Sequence, residues 1–214
     1  MMSFFKNLFK KSAPETPTRE LNHVSKLIIG DIIEFSDSFT LPTEVRRQKF
    51  EVIAVETLEF EHQHYPRFKL QGEQQTYVWL SLPGYDQNNF QLSLELTRED
   101  VSQLFDLELF SDVFEEGFTE LSTEQPVSLG DWHADHYYQQ DIATVGYHHR
   151  TDFRTAAPSK YADENPGQQF EFYHLHDAKE SKLIDIMVLN NGDTDVYLTV
   201  QLGNDSITGY WPIA

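Results

Sequence analysis

A strict two-residue alternation, present twice, constrains this chain more than any other feature. In Phe90-Gln-Leu-Ser-Leu-Glu-Leu96 the residues Phe90, Leu92, Leu94 and Leu96 point one way, and Gln91, Ser93 and Glu95 the other. Val196-Tyr-Leu-Thr-Val-Gln-Leu202 repeats the pattern. Side chains alternate sides along a strand, so these segments gather their apolar residues on one face only when extended. The same reading predicts strands over 27–35, interrupted by a turn or bulge at Gly30-Asp31, and over 50–60, 67–71, 76–82, 132–138, 142–150, 168–176, 182–189 and 207–211. Asn191-Gly192 marks a hairpin turn between the strands that end at Leu189 and begin at Val196.

Helix signals are few. Thr97 can cap free backbone amides and Asp100 sits at the positive end of a short helix over 98–105. The acidic stretch 106–124 reads as an irregular connector with some helix, and 151–167, with two prolines and a glycine, as a long mobile loop.

The halves match in order. Leu27-Ile-Ile-Gly30-Asp31 parallels Val127-Ser-Leu-Gly130-Asp131, Phe68-Lys-Leu70 parallels Tyr173-His-Leu175, and Phe90-Gln-Leu-Ser-Leu94 parallels Val196-Tyr-Leu-Thr-Val200, at offsets of 100, 105 and 106. An internal duplication predicts a mostly β chain of two tandem antiparallel sheet or partial-barrel units with a short helix between them. Residues 27–106 form the first unit with its C-terminal helix, 107–126 a connector and 127–214 the second unit, preceded by a peptide and linker over 1–26.

Composition narrows the function classes. With 214 residues, 39% hydrophobic and 14% aromatic, the chain can bury a core. It has no cysteine, which excludes disulfides, thiolate catalysis and cysteine-ligated zinc. A formal net charge of −19 without a basic stripe argues against nucleic acid as a partner. No apolar run reaches the roughly 20 residues of a membrane-spanning helix, and no secretory signal is evident, so the expected location is the cytoplasm.

The first eleven residues stand apart from this acidic body. Phe4, Phe5, Leu8 and Phe9 share one helical face, and Lys6, Lys10 and Lys11 carry positive charge with no acid among them. The proline-containing stretch 12–18 follows as a linker. A tethered, basic, Phe-rich helix suits an anionic membrane surface, possible only peripherally, or the groove of a protein partner.

Chemistry-bearing patterns are sparse. His62-Gln-His64 and His174-Leu-His176-Asp177 each place two imidazoles on one strand face, and His174, His176 and Asp177 are the candidate ligands for a transition metal. His133 with His136 and His148-His149 form two further pairs. No G-x-S-x-G elbow, phosphate-cradling P-loop or G-x-G-x-x-G turn occurs, so no catalytic residue is assigned. Trp79, Trp132 and Trp211, with ten tyrosines, suggest a groove for a small cationic ligand, although Trp79 between Val78 and Leu80 also reads as core.

The N-terminal Met2-Ser-Phe-Phe-Lys-Asn-Leu-Phe-Lys-Lys11, the Pro-containing linker, the opening Leu27-Ile-Ile-Gly-Asp-Ile-Ile-Glu-Phe35 and the later Tyr77-Val-Trp-Leu-Ser-Leu82 together carry a resemblance. The chain resembles uncharacterised bacterial β-protein families of unknown function, among them the YjfK-like group, over the N-terminal peptide and the first half, fading after about residue 100. Such proteins are often encoded near PspA-like membrane-stress proteins, which implies an accessory role near the inner membrane and carries over no site residues. The expectation is a non-enzymatic binding or adaptor protein recruited through residues 1–11. The alternatives are a metal-binding module or metal-dependent enzyme using His174 and His176, and a sensor of a small cation.

Overall fold

The computed structural model describes residues 19–124, 127–158 and 165–213. Strands hold 47% of the chain and helical segments 16%, and all strands join one antiparallel sheet, so the protein is mostly β.

In chain order the strands are β1 (Ile32–Phe35), β2 (Lys49–Phe60), β3 (Gln63–Gln71), β4 (Tyr77–Ser81), β5 (Asn89–Leu96), β6 (Glu120–Ser122), β7 (His136–His149), β8 (Gln168–His176), β9 (Lys182–Leu189), β10 (Thr194–Gly203) and β11 (Ile207–Trp211). Between β5 and β6 lie α1 (Arg98–Leu104) and α2 (Leu107–Ser111). Thr97 caps α1 as expected, and Asp100 completes a capping box: the Thr97 hydroxyl accepts the Asp100 amide, and the Asp100 carboxylate accepts the Thr97 amide at 2.9 Å.

The sheet runs β11-β1-β2-β3-β4-β5-β10-β9-β8-β7-β6, with one extra pairing between β2 and β7. That pairing spans Thr57↔His149 to Phe60↔Gly146 and joins the two ends of an eight-strand run into a partial ring. The ring consists of two four-strand meanders, β2–β5 and β7–β10, joined at the β5–β10 and β2–β7 seams. The two halves of the chain thus share one continuous sheet.

At the β5–β10 seam, Ser93 pairs directly with Thr199, 106 positions later, the same offset that aligns the two alternating segments. The register of β3 with β4 (Arg67↔Ser81) recurs between β8 and β9 (Phe172↔Met187) at equivalent offsets. The two meanders are therefore arranged about an approximate twofold through the Ser93–Thr199 pair. Their loops differ: β2 turns straight into β3 at Glu61-His62, whereas 150–167 separates β7 from β8.

The two sheet faces carry different cores. The larger includes Phe68, Leu80, Phe90, Leu92, Leu198 and Val200, on the outside of the ring. The sheet edge with β1 and β11 folds back over this outside, so that Phe35 of β1 reaches Phe90 of β5 at 6.4 Å, four strands away in sheet order. In the second half the turn after α2 does the same, with Phe114 edge-on to Tyr173 at 5.1 Å. Asp31, which is fully buried, ties the first and last described segments together: its carboxylate accepts the Ile28 amide at 2.8 Å and the Ile213 amide at 3.0 Å, and pairs with Arg19.

Several sequence expectations are corrected. Residues 27–29 are not strand, because Gly30 turns at φ +90 and β1 begins only at Ile32. The strands expected over 132–138 and 142–150 are one strand, β7, which bulges between Gln139 and Thr144 instead of ending, and Trp132 is packed in a 3-10 turn before it. His62 lies in the β2–β3 turn, so it does not share a strand face with His64. Residues 151–154 are pinned to the body: the Thr57 hydroxyl donates to the Thr151 carbonyl at 2.9 Å and accepts the Phe153 amide at 3.0 Å. Residues 159–164 of that segment and 125–126 of the connector lie outside the described residues.

Gly146, at the β2–β7 seam, lies against the Phe170 ring; a Cβ there would come within 2.4 Å of Phe170 Cζ. Gly146→Val is expected to open this seam and lower Tm by several degrees in a thermal melt. Gly192→Ala, at an open hairpin turn with φ +87, is expected to cost only about 1 kcal/mol.

Candidate functional site

Closure of the ring decides where the second set of strand residues goes. In an open sheet, Gln91, Ser93 and Glu95 would face water; here the corresponding face of each of the eight strands lines the interior. The interior holds a cavity of about 400 Å³, within the size range of small-molecule sites. Its apolar wall comes from Leu58, Phe60, Tyr65, Phe172 and Met187. Its polar groups come from Arg67, Ser93, His174 and Asp185, among others. A second chamber of about 380 Å³ lies beyond Arg67, Met187 and Tyr197, which line both spaces.

One polar chain crosses four neighbouring strands. His174 Nδ1 lies 2.7 Å from Asp185 Oδ1, the Thr199 hydroxyl donates to Asp185 Oδ2 at 2.7 Å, and Ser93 Oγ lies 2.8 Å from Thr199 Oγ1. Because Thr199 gives its proton to the carboxylate, Ser93 must donate to Thr199. Each of these pairs is directly cross-strand or, for Thr199 and Asp185, the diagonal neighbour two residues along, so the sheet register itself sets the chain. The arrangement is not a nucleophilic triad. Both hydroxyls stand on the far side of the aspartate, and among the described residues no hydroxyl hydrogen-bonds to the His174 ring, whereas acyl transfer needs the hydroxyl on the imidazole. Burial lowers the His174 pKa, but the hydrogen bond and charge of Asp185, with Asp141, outweigh it and hold the imidazole above its ordinary value.

Arg67 is the most unusual group. It is only 6% exposed, and its guanidinium carbon lies over two aromatic rings, 4.1 Å from the centre of Trp79 and 4.2 Å from that of Tyr197. Among the described residues it makes a weak contact from Nη1 to Met187 Sδ at 3.8 Å, its charge and hydrogen bonding act on the Tyr197 phenol, and no carboxylate pairs with it within 4.0 Å. Of the nearby acids, Glu56 and Glu95 have other partners, while Asp195 is coupled to Arg67 through its charge. Glu56 pairs with His148 at 2.7 Å, and burial, which raises its pKa, is outweighed by His148, Arg67 and Lys69. Glu95 accepts the Trp79 indole N–H at 3.2 Å, and burial together with Glu95 pushes Asp195 above the usual carboxylate range.

The residues singled out from sequence are dispersed. His174 faces the cavity. His176 Nδ1 lies 2.9 Å from the Asp177 carbonyl. The Asp177 carboxylate accepts the Ser181 and Lys182 amides at 2.7 and 2.9 Å and so closes the β8–β9 turn. Burial raises the Asp177 pKa, but these backbone donors outweigh it and the pKa is lowered. Among the described residues no group of three histidine or acidic side chains is placed to hold a metal. The three tryptophans share no groove: Trp132 is buried in the outer core, Lys49 covers the Trp211 ring at 4.3 Å, and Trp79 carries Arg67 and Lys69. Phe4, Phe5, Lys6, Leu8, Phe9, Lys10 and Lys11 lie outside the described residues.

The sequence reading missed Arg67, Asp185 and Tyr197. The available signal was a charge set inside an otherwise apolar strand, as in Tyr65-Pro-Arg67-Phe68 and Leu183-Ile-Asp185-Ile186. Such residues belong to an interior when the strands that carry them close on one another. Comparison with known proteins finds no family model, no curated protein and no solved structure that matches the chain.

The raised pKa of His174 gives a signed prediction. Its stabilisation by Asp185 is fully present below the unfolded value of about 6.5 and is lost as pH rises through the folded value. His174→Gln is therefore expected to lower Tm by a few degrees at pH 6 and by less at pH 9, read by scanning calorimetry at both pH values. Thr199→Val strands both Ser93 and Asp185 in a buried site and is expected to cost about 2 kcal/mol, measured by urea denaturation.

Proposed function

We propose that this chain is a non-enzymatic binding protein whose ring interior takes a small organic molecule. The observation that carries the reading is the mixed cavity itself. Strands from both meanders contribute an apolar wall and a few convergent polar groups around one space, the composition typical of a ligand site. The Ser93–Thr199–Asp185–His174 chain supports binding over catalysis, because it satisfies its own hydroxyls and leaves no activated nucleophile.

The basic, Phe-rich residues 1–11 favour a second element of the same reading: cytoplasmic placement, with recruitment to an anionic membrane surface or a partner. No helix among the described residues is long and apolar enough to cross a membrane. Deleting residues 1–11 is expected to abolish sedimentation with anionic liposomes and leave the melting curve unchanged; equal sedimentation of both forms would reject recruitment.

The interior site is tested with the neutral fluorescent probe N-phenyl-1-naphthylamine. Saturable enhancement at one probe per chain is expected, and Thr144→Trp, which sets a large ring at the cavity wall, is expected to remove it without altering Tm. Enhancement that survives Thr144→Trp would place the probe elsewhere.

A further inference from the structure

We infer that the ligand of the ring interior carries a carboxylate and that Arg67 is the group that holds it; this rests on the binding reading above. The inference begins with the cost of the arginine. A guanidinium never sheds its proton in a protein, so burying one forces it to find acceptors or to face a space that an acceptor enters. Arg67 is 6% exposed, lines both interior chambers and has no carboxylate partner.

The aromatic contacts hold the arginine in place. Its guanidinium carbon lies over the Trp79 and Tyr197 rings at 4.1 and 4.2 Å. The N–H donors lie along the guanidinium edge, and Arg67 adjoins both interior spaces. A planar acceptor with two oxygens fits that edge with two parallel hydrogen bonds; a carboxylate has this shape. The same aromatic clamp fixes the guanidinium before the ligand arrives, so little side-chain entropy remains to be lost on binding.

The surrounding charges decide the sign of the ligand. On the cavity side of Arg67, Asp185 is a half-buried carboxylate on the wall, and both its oxygens are already bonded, to His174 and Thr199. Asp141 is exposed and stands at the rim. Among the described residues that line the first cavity, Arg67 therefore meets no carboxylate with a free oxygen apart from the exposed Asp141; Glu56, Glu95 and Asp195 line the second chamber. The body of the ligand is set by the apolar wall of Tyr65, Phe172 and Met187 and by a volume of about 400 Å³: an aromatic ring or a short alkyl chain.

The test uses the whole chain and matched pairs of probes, benzoate with benzamide and 3-phenylpropionate with its amide. Binding is followed by Trp79-sensitive fluorescence and by displacement of N-phenyl-1-naphthylamine. At least one acid is expected to bind about tenfold or more tightly than its amide, since a charged hydrogen-bond pair is lost in the amide. Arg67→Lys is expected to reduce that preference and Arg67→Met to remove it while the neutral probe still binds. Acids and amides that displace the probe equally, or an acid preference that persists in Arg67→Met, would overturn the carboxylate assignment and leave the interior site standing. Failure of the neutral probe itself to bind would overturn both. Should Arg67→Met not fold, the acid-to-amide ratio in the unaltered chain and in Arg67→Lys decides alone.

Discussion

Closure of two meanders into one ring is the constraint on which the rest of the structure depends. Each meander taken alone has one apolar and one polar face, as half-exposed sheets do. Joining them at β5–β10 and β2–β7 turns the polar faces toward each other and moves the main apolar core to the outside, where the β1–β11 edge and the turn after α2 cover it. The seams carry interactions suited to that role. Ser93 and Thr199 meet at the centre of one. The other has a histidine–glutamate pair on each face, Glu56 with His148 inside and Glu59 with His149 outside, both at 2.7 Å.

Turning polar faces inward is costly unless their groups are satisfied. The chain meets the cost mostly within the sheet register: Asp185 takes His174 and Thr199, Glu56 takes His148, and Glu95 takes the Trp79 indole. Arg67 departs from this pattern. Its charge is held by aromatic faces in place of an acid, and cation–π contact of this kind is worth about 2 kcal/mol when desolvated, less than the cost of leaving guanidinium donors without acceptors. A site built to be completed by an incoming acceptor explains the imbalance without invoking strain.

Much of the fold was legible from local pattern. The alternation at 90–96 and 196–202, the Asn191-Gly192 hairpin and the Thr97–Asp100 cap all correspond to observed elements, because each depends on neighbours within a few residues. The misreadings share one cause. The run Gln139-Gln140-Asp141 looks like a break, yet β7 passes through it as a bulge because β8 and β6 pair on either side. The sequence singles out His174 for metal chemistry with His176 and Asp177. The neighbour it meets is Asp185, on the next strand, and no local spacing announces that partner.

The amino-acid sequence by itself determined that the chain is mostly β, which residues share a strand face and that two segments repeat in order, since period-two alternation and turn chemistry are local properties. Only the tertiary structure decided which of the two faces is inside. The residue Ser93 reads as a solvent-facing position in its strand and becomes buried only when Thr199 closes over it from the other half of the chain. The same holds for Arg67: its place in a strand is written locally, while its clamp of Trp79 and Tyr197 is assembled from strands that meet only when the sheet curls upon itself.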